Sequence, residues 1–273
     1  AMAALQHPNV VVLYGACLRP PRMCLVQELA PHGSLAHVLK ASPGAMAWSE
    51  RWSVGADMAR GLLFLHNRNI LHRDVKGANV LLFGALPRRT GKLSDFGLAA
   101  VKSESSTLAT RSTAGTPDWK APELFSRRTA IASPASDMYS AACTLYEMAA
   151  GQPPWEGDDP GAFPMWVMQG ERPDRPQGCP DDFWAAVEGG WAQSPDDRTT
   201  FDDLLAALED GACAAAARED AAQGAPGRRE TEMEAEIARL RAQMQRMEAE
   251  AAASQAQAPS PNDSSDADEA AAA

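Results

Sequence analysis

The sequence predicts an α+β fold that is mainly helical, and three observations support this. Residues 49–67 carry apolar side chains at i, i+4, i+7 and i+11, which is the spacing of one helix face. Residues 136–150 and 183–192 are also predicted to be helices. Short apolar runs bounded by turn residues predict strands. The first helix owes its apolar stripe to Trp52, Ala56, Ala59 and Leu63.

The first 29 residues are predicted to form the end of a helix and two strands. Residues 2–6 suit a last helical turn, which Pro8 ends because proline cannot continue a helix. The strands are predicted at residues 10–13 and 23–29. This part of the chain is therefore expected to be a remnant rather than a domain of its own.

The central part begins with the striped helix over residues 49–67. Ser49 is expected to start it, because its hydroxyl can accept from a free backbone N–H of the first turn. Met58 is expected in the apolar core rather than at a cofactor. Residues 80–83 predict a short apolar strand, and residues 87–91 predict a basic, solvated turn before the next strand.

In the second half, a loop rich in proline and glycine is predicted over residues 151–180, between the other two helices. Residues 200–203, Thr-Phe-Asp-Asp, resemble a capping box that starts a last helix. Gly211 is expected to end that helix and the domain. The apolar face of the helix is made of Phe201, Leu204, Leu205 and Leu208.

The end of the chain changes composition. Residues 212–227 are expected to be a linker, residues 228–251 a short coiled-coil-like helix, and residues 252–273 a disordered acidic tail. Apolar residues in the middle segment step by 4, 3, 4 and 3, which is a heptad seam of about two to three heptads. A dimerising coiled coil and a solvated helix both fit, and self-association is the favoured interpretation. The seam consists of Met233, Ile237, Leu240, Met244 and Met247.

Composition excludes several classes of protein. The chain has 273 residues and a formal net charge of -11, which argues against non-specific binding of nucleic acid. Its five cysteines are scattered and form no C-x-x-C pair, so neither a zinc site nor a disulfide framework is indicated. No apolar run reaches membrane-spanning length and no signal peptide is visible. No membrane partner is therefore expected, and the predicted location is cytoplasmic or nuclear.

The most informative stretch is residues 72–79, His-Arg-Asp-Val-Lys-Gly-Ala-Asn. It sets one carboxylate, one ammonium and one amide at fixed spacing. Phosphoryl transfer needs a group that takes a hydroxyl proton, a cation for the moving phosphate and an oxygen for a metal. The alternative is a charged surface turn after a helix, and it loses weight because three further motifs follow in order.

Those motifs are residues 92–99, with Asp-Phe-Gly, then residues 115–123, with Ala-Pro-Glu, and then residues 136–140, Ser-Asp-Met-Tyr-Ser. With residues 72–79 they resemble the protein kinase superfamily. Over about residues 1–211 the chain is identified as a member of the tyrosine-kinase-like (Raf/MLK-like) group of serine/threonine kinases. The resemblance implies a protein-kinase-like fold, ATP and Mg²⁺ as cofactors, and protein substrates.

Within that fold, residues 1–29 would be a remnant of the N-lobe, with its strands 4 and 5 and the start of the hinge. Residues 30–211 would be the mainly helical C-lobe. For nucleotide binding, the resemblance implies that Glu28 and Ala30 present backbone groups to adenine. It also implies that Ser34 contributes to the site and that Leu81 lies beneath the base.

For catalysis, the resemblance implies that Asp74 orients the substrate hydroxyl and accepts its proton. Lys76 would contact the transferred phosphoryl group, and Asn79 with Asp95 would hold magnesium. Lys76 together with Thr116 is the serine/threonine pattern, because tyrosine kinases usually differ at both places.

The remaining motif residues are implied to be structural. His72 would stack on Phe96, and Asp137 would hold the catalytic loop through backbone hydrogen bonds. Arg73 would pair with a phosphate on the serine- and threonine-rich segment 101–114, the predicted activation loop. The full set of structural residues is His72, Arg73, Phe96, Gly97, Glu123, Asp137 and Arg198.

The sequence departs from the family pattern at its N-terminal end. Kinases need a glycine-rich phosphate loop, a lysine on strand 3 and its glutamate partner, and the printed sequence contains no G-x-G-x-x-G. The chain is therefore expected to be an N-terminally truncated fragment with weak or no ATP turnover. A pseudokinase or scaffold is the alternative function, but the intact set of Asp74, Lys76, Asn79 and Asp95 opposes it.

Overall fold

A computed structural model describes residues 5–17, 23–42, 44, 46–86, 88–95, 116–126 and 130–222. Several predictions fall outside the described residues: Met2, Phe96, Gly97, the predicted activation loop, the predicted coiled coil and the acidic tail. Residues 1–218 make up one compact unit. A second unit begins at residue 219, and only residues 219–222 of it are described.

Six α-helices and four strands make up the regular structure of the described residues. The strands are β1 (Leu13–Cys17), β2 (Cys24–Gln27), β3 (Val80–Ala85) and β4 (Arg88–Leu93). The helices are α1 (Leu35–Ala41), α2 (Trp48–His66), α3 (Pro134–Ala150), α4 (Phe163–Gln169), α5 (Asp181–Gly190) and α6 (Phe201–Ala222). Short 3₁₀ turns cover Gly77–Asn79, Pro117–Trp119, Pro122–Phe125 and Pro195–Asp197.

The strands form two antiparallel hairpins, β1 with β2 and β3 with β4. The expected first strand at residues 10–13 is wrong in position, because β1 begins only at Leu13. Val10 instead makes isolated bridges to His7 and to Leu93, and the second anchors the entry segment against β4. Of the predicted helix end at residues 2–6, Leu5 and Gln6 are described and are not helical.

The core lies between α2, α3, α5 and the β3–β4 hairpin. The striped face of α2 is buried at Trp52, Ala56 and Ala59, and Met58 is fully buried, as predicted. Ser49 does not start the helix, because α2 begins at Trp48. The start is fixed by tertiary contacts, since the Arg51 guanidinium donates to the carbonyl oxygens of Met46 and Met148 at 3.0 and 2.7 Å.

The predicted solvated hairpin at residues 87–91 is confirmed as a hairpin, but the predicted solvation is wrong for its second strand, because β4 begins at Arg88 and Arg89 is buried. Arg89 is buried and makes a two-pronged ion pair with Glu50 of α2, with distances of 2.7 and 2.9 Å. A buried charge is tolerated when it is paired and hydrogen-bonded in this way. The basic residue therefore ties the hairpin to α2.

The predicted end of the last helix at Gly211 is also wrong, because α6 continues to Ala222. A Cβ atom at Gly211 would collide with the ring of Trp52, so this glycine permits close helix packing instead of ending the helix. Thr200 accepts from the N–H of Asp203 at 3.2 Å, which is the capping contact expected there.

Two further helices fall close to their predicted places, at α3 and α5. Between them, the predicted irregular loop over residues 151–180 contains the short helix α4. Among the described residues, no helix is long and apolar enough to cross a membrane.

Candidate active site

The loop that carries residues 72–79 follows α2 and is held at its start by α3. The carboxylate of Asp137 accepts from the backbone N–H groups of His72 and Arg73 at 2.8 and 2.9 Å. It also accepts from the ring of His66 at 2.8 Å. Arg73 has a φ of 69°, a rare conformation for a side-chain-bearing residue, and these bonds hold it there.

The other end of the loop is held by a second carboxylate of α3. Glu147 is buried and accepts from the N–H of Gly77 at 2.9 Å. The indole N–H of Trp119 lies near this carboxylate without meeting the geometry of a hydrogen bond. Burial raises the pKa of Glu147 to about 7, against the lowering effects of Gly77, Trp119 and Lys76.

Four residues predicted to be catalytic lie together between these two anchors. One oxygen of Asp74 accepts from the N–H and from the hydroxyl of Thr116, both at 3.0 Å. Its other oxygen lies 2.7 Å from the ammonium of Lys76 and accepts from the amide of Asn79 at 3.0 Å. The Lys76 ammonium also donates to the Thr116 hydroxyl, so the four side chains form one network.

The charge of Asp74 is set by competing effects. Partial burial by itself raises the pKa of this carboxyl, but the hydrogen bond and charge of Lys76 and the hydrogen bonds of Thr116 outweigh it. The net direction is downward, so Asp74 is ionised at neutral pH. A carboxylate in this state is an acceptor that can orient a hydroxyl group.

Asp95 follows the strand β4 by two residues and is exposed, with a φ of 56°. The preceding residue, Ser94, donates its N–H to the carbonyl of Asn79 at 2.8 Å, which joins the two segments. The amide nitrogen of Asn79 is used by Asp74, so the amide oxygen is the atom of that side chain that suits a metal. One carboxylate and one amide oxygen fit Mg²⁺, which takes few protein ligands and completes its shell with phosphates and water.

His72 is fully buried, and its ring nitrogen lies 3.1 Å from the carbonyl oxygen of Ser94. Burial lowers its pKa, although Asp137 and Asp74 act in the opposite direction. A neutral, enclosed imidazole that is bonded to the backbone has a packing role. Its predicted stacking partner, Phe96, lies outside the described residues.

The guanidinium of Arg73 has one buried nitrogen, Nε, that makes no hydrogen bond within the described part of the chain. The segment predicted to supply its partner, residues 101–114, is not described.

Farther along the chain, Arg198 makes two bonds of 2.8 Å to the carboxylate of Glu123. Arg198 is almost completely buried, so this pair fastens the Ala-Pro-Glu segment to the turn before α6.

Of the residues predicted to bind the nucleotide, Glu28 donates its backbone N–H to the carbonyl of Val12 at 3.0 Å. The Glu28 side chain makes an ion pair that the sequence did not indicate, because its carboxylate lies 2.7 Å from the Lys92 ammonium. Ser34 starts α1 with its hydroxyl, and a β-bridge joins it to Leu81. Ala30 lies between these two segments at the hinge.

Sequence reasoning missed His66 and Glu147. His66 is the last residue of α2 and could have been suspected only from its position just before the motif. Glu147 lies ten residues after Asp137 on the same helix, and nothing in its local pattern separates it from a solvated glutamate. His66 bonds to Asp137, which holds the loop, and Glu147 bonds to Gly77 of the loop itself. Each pair is distant in sequence.

Comparisons with known proteins agree with the motifs. The family model described as protein tyrosine and serine/threonine kinase matches residues 1–208. The chain is 35% identical over 210 residues to the probable serine/threonine-protein kinase drkD of Dictyostelium discoideum, covering 76% of this chain and 16% of that protein.

Two other relatives match the same part of the chain. Serine/threonine-protein kinase CTR1 of Arabidopsis thaliana is 36% identical over 209 residues, covering 75% of this chain and 25% of that protein. Human mitogen-activated protein kinase kinase kinase 10 is 35% identical over 215 residues, covering 76% of this chain and 22% of that protein. The chain therefore spans a quarter or less of the length of these three relatives.

Proposed function

Because this chain belongs to the protein tyrosine and serine/threonine kinase family, we propose that it is the catalytic C-lobe of a serine/threonine kinase. CTR1 and mitogen-activated protein kinase kinase kinase 10 are Raf- and MLK-like kinases, which agrees with the group that the motifs indicate. The reaction moves the γ-phosphate of ATP to serine or threonine hydroxyls of protein substrates in signalling. The single observation that carries the proposal is the network of Asp74, Lys76, Asn79 and Thr116.

On the substrate side, Asp74 accepts a hydrogen bond from the incoming hydroxyl and so directs its oxygen at the phosphorus atom. Its lowered pKa makes it a weak base, so it takes the proton late, when the hydroxyl becomes acidic by bonding to phosphorus. Thr116 bonds to one oxygen of Asp74 through its N–H and its hydroxyl, and would so keep the carboxylate in position for the substrate hydroxyl.

On the phosphate side, the Lys76 ammonium lies between Asp74 and Thr116 and can turn toward the transferred group. Its positive charge stabilises the negative charge that spreads over the phosphoryl oxygens in transit. Asn79 and Asp95 would hold Mg²⁺, which supplies charge neutralisation between the phosphates. Glu28 and Ala30 would receive adenine through their backbone groups, with Leu81 beneath the base.

Two regulatory features belong to the same proposal. A phosphate on the segment 101–114 would give a partner to the Nε of Arg73, which makes no hydrogen bond within the described part of the chain. The heptad seam in residues 228–251 supports homo-oligomers, and sedimentation of the whole chain before and after removal of residues 228–273 tests this. The same number of chains per particle in both would exclude association through the seam.

The test of the proposed reaction uses the longest protein translated from the gene that encodes this chain, because the family needs a phosphate loop and a strand-3 lysine. Radiolabelled ATP and Mg²⁺ are offered with three peptides that differ only in carrying serine, threonine or tyrosine. We expect label on serine and threonine, and loss of label when Asp95→Asn removes a magnesium ligand. Equal labelling by the Asp95→Asn variant, or labelling of tyrosine alone, would contradict the proposal.

A further inference from the structure

The β1–β2 hairpin carries one cysteine on each strand, at the end next to the connecting loop. Cys17 is the last residue of β1, and Cys24 is the first residue of β2. The two residues are register partners, so each lies directly opposite the other across the antiparallel pair. Six residues separate them in the sequence, a spacing that by itself indicates neither a metal site nor a redox motif. The fold therefore supplies a pairing that the spacing does not show.

The two cysteines belong to the regular part of the hairpin. Its register shifts between Leu13 and Gly15, at the far end from the connecting loop. From Gly15 to Cys17 the partners then advance one residue at a time, and this run ends on Cys24. Directly opposite residues on antiparallel strands point to the same face of the sheet. The two thiols are therefore neighbours on one face of the hairpin.

The separation of the two strands suits a covalent bond. Opposite residues in an antiparallel pair have Cα atoms about 4.5–5.5 Å apart, whichever of the two hydrogen-bonding patterns they adopt. A disulfide accepts Cα separations of about 4.4–6.8 Å, and cysteines more than about 7 Å apart cannot pair without backbone movement. The hairpin can therefore accept a bond between Cys17 and Cys24 without a change of register.

Solvent reaches both thiols. Cys17 and Cys24 are exposed, and neither is bonded to another cysteine in the structure. Exposure is not general among the cysteines of this chain, because Cys143 and Cys179 are buried. Cys213 on α6 is also exposed, and it gives a comparison for the hairpin pair. A dissolved oxidant can therefore meet either member of the pair without unfolding of the chain.

A metal ion is a poorer match for this pair than a disulfide. Within the described residues, no three cysteine, histidine or acidic side chains lie close enough to share an ion. Structural zinc takes four such ligands, so two thiols alone would leave half of its positions open. A disulfide needs only the two sulfur atoms that the register brings together.

We infer that Cys17 and Cys24 are a redox modification site, at which exchange with glutathione disulfide forms a reversible disulfide across the hairpin. The thiolate of one cysteine attacks a sulfur of glutathione disulfide, forms a mixed disulfide and releases one glutathione. The thiolate of the other cysteine attacks the protein sulfur of that mixed disulfide and releases the second glutathione. The two cysteines lose two electrons and two protons, and glutathione disulfide gains them.

The bond would lock the end of the hairpin next to the connecting loop. The strand β2 is exposed along its whole length, and a two-stranded hairpin has little stability by itself. A covalent bond between the strands removes open conformations from the unlocked hairpin. The site is independent of the proposed kinase function, since its chemistry uses no nucleotide and no residue of the network around Asp74.

The test equilibrates the whole chain with mixtures of reduced and oxidised glutathione, blocks the remaining thiols and digests the protein with trypsin. Trypsin cleaves after Arg22, which separates the two cysteines into residues 1–22 and 23–40, whereas the bond after Arg19 precedes proline and resists cleavage. The disulfide joins these two peptides into one species that a reductant separates, and mass spectrometry counts it. We expect the formation constant of this species to be at least about tenfold larger in the folded chain than in concentrated urea, because the register raises the effective concentration of one thiol at the other.

Three variants separate register from exposure. Cys213→Ser removes an exposed cysteine outside the hairpin and should leave the formation constant unchanged. Cys24→Ser removes the partner and should leave glutathione attached to Cys17. The decisive variant is Cys24→Ser with Leu25→Cys, which moves the second thiol by one residue to another exposed position. Because successive side chains of a strand point to opposite faces, the formation constant of the linked species should fall at least about tenfold in this variant.

Equal formation constants in the folded chain and in urea, or in the wild type and the variant with the shifted thiol, would overturn the inference. It would also be overturned if glutathione stayed on both cysteines without linking them, or if the linked peptides came only from dimers on a non-reducing gel. Failure of the kinase function has a separate signature. In that case no peptide substrate is labelled with phosphate, while the linked species and its loss in the shifted variant remain.

Discussion

The two ends of the catalytic loop are both held by carboxylates of α3, and the two carboxylates are held differently. Asp137 accepts three hydrogen bonds, from His66, His72 and Arg73. Glu147 accepts one from Gly77, and burial raises its pKa to about 7. The first end is therefore held by a carboxyl group with several donors, whereas the second end is held by a buried acid that changes charge near neutral pH.

The loop is therefore fixed at its His72–Arg73 end and responds to pH at its Gly77 end. A buried carboxylate stays charged at low cost only when several donors surround it. The His72–Arg73 end meets that condition, and it carries the unusual backbone of Arg73. The Gly77 end does not meet it, although it leads directly to Asn79.

The largest expected loss of stability comes from the first end. Asp137→Ala would leave the buried N–H groups of His72 and Arg73 without an acceptor, at a cost of about 3–5 kcal/mol in unfolding free energy. Urea unfolding of the whole chain measures this, with the exposed Asp196→Ala as the control. A loss no larger than that of the control would show that Asp137 does not hold the loop.

The next effect is a dependence on pH at the second end. Because the folded pKa of Glu147 is raised from 4.5 to about 7, its protonated form is favoured in the folded chain. The contribution of Glu147 to the unfolding free energy is therefore fully present below about pH 4.5, and it is lost as the pH rises through about 7. The difference between the pKa values of Glu147 in the folded and unfolded chain corresponds to about 3 kcal/mol of unfolding free energy.

Glu147→Gln removes this titration and keeps the shape of the side chain. The unfolding free energy of the wild type minus that of the variant is expected to fall by about 2–3 kcal/mol between about pH 5 and about pH 8. Unfolding curves at a series of pH values give this difference. A constant difference across the series would mean that Glu147 titrates as it does in the unfolded chain.

A third prediction tests the contact between Gly77 and Glu147. A Cβ atom at Gly77 would lie 2.5 and 2.6 Å from the two carboxylate oxygens, so Gly77→Ala should destabilise the chain by about 1–3 kcal/mol. The cost should disappear when Glu147→Ala is already present. Gly15→Ala, where nothing lies within 4 Å of the new atom, is the matched control.

The smallest effect is expected outside the core. Arg60 pairs with Glu209 at 2.7 Å, but both side chains are more than a third exposed. Arg60 also pairs with the buried Asp57, so the surface pair is removed from the other side. Glu209→Ala should cost less than about 1 kcal/mol, and added salt should reduce the cost further. A loss as large as that of Asp137→Ala, measured in the same urea series, would remove the distinction between buried and surface carboxylates.

Features that depend on local pattern could be predicted from the sequence. The stripe of α2, the helix α3 and the capping contact of Thr200 follow from spacing and residue type over a few neighbours. The residues of the catalytic network were recognised because their motif has fixed spacing. The structure shows them joined to one another, including Thr116, which is far from the loop in sequence.

Features that depend on distant partners could not be predicted. Arg89 looks like part of a polar turn, and only Glu50, 39 residues away, explains its burial. Gly211 looks like a helix end until the ring of Trp52 is placed against it. Glu147 and Gly77 are 70 residues apart, so their bond becomes visible only once α3 is packed under the loop.

The most direct test of the catalytic network is one paired measurement on Asp74→Asn. The substitution keeps the shape of the side chain and removes the charge that faces Lys76 and Thr116. In the longest translated protein, the rate of phosphate transfer to a serine peptide should fall by ~10²- to 10⁴-fold, while the midpoint of urea unfolding stays close to that of the wild type. A rate equal to that of the wild type at the same stability would contradict the assignment of Asp74 and of the network around it.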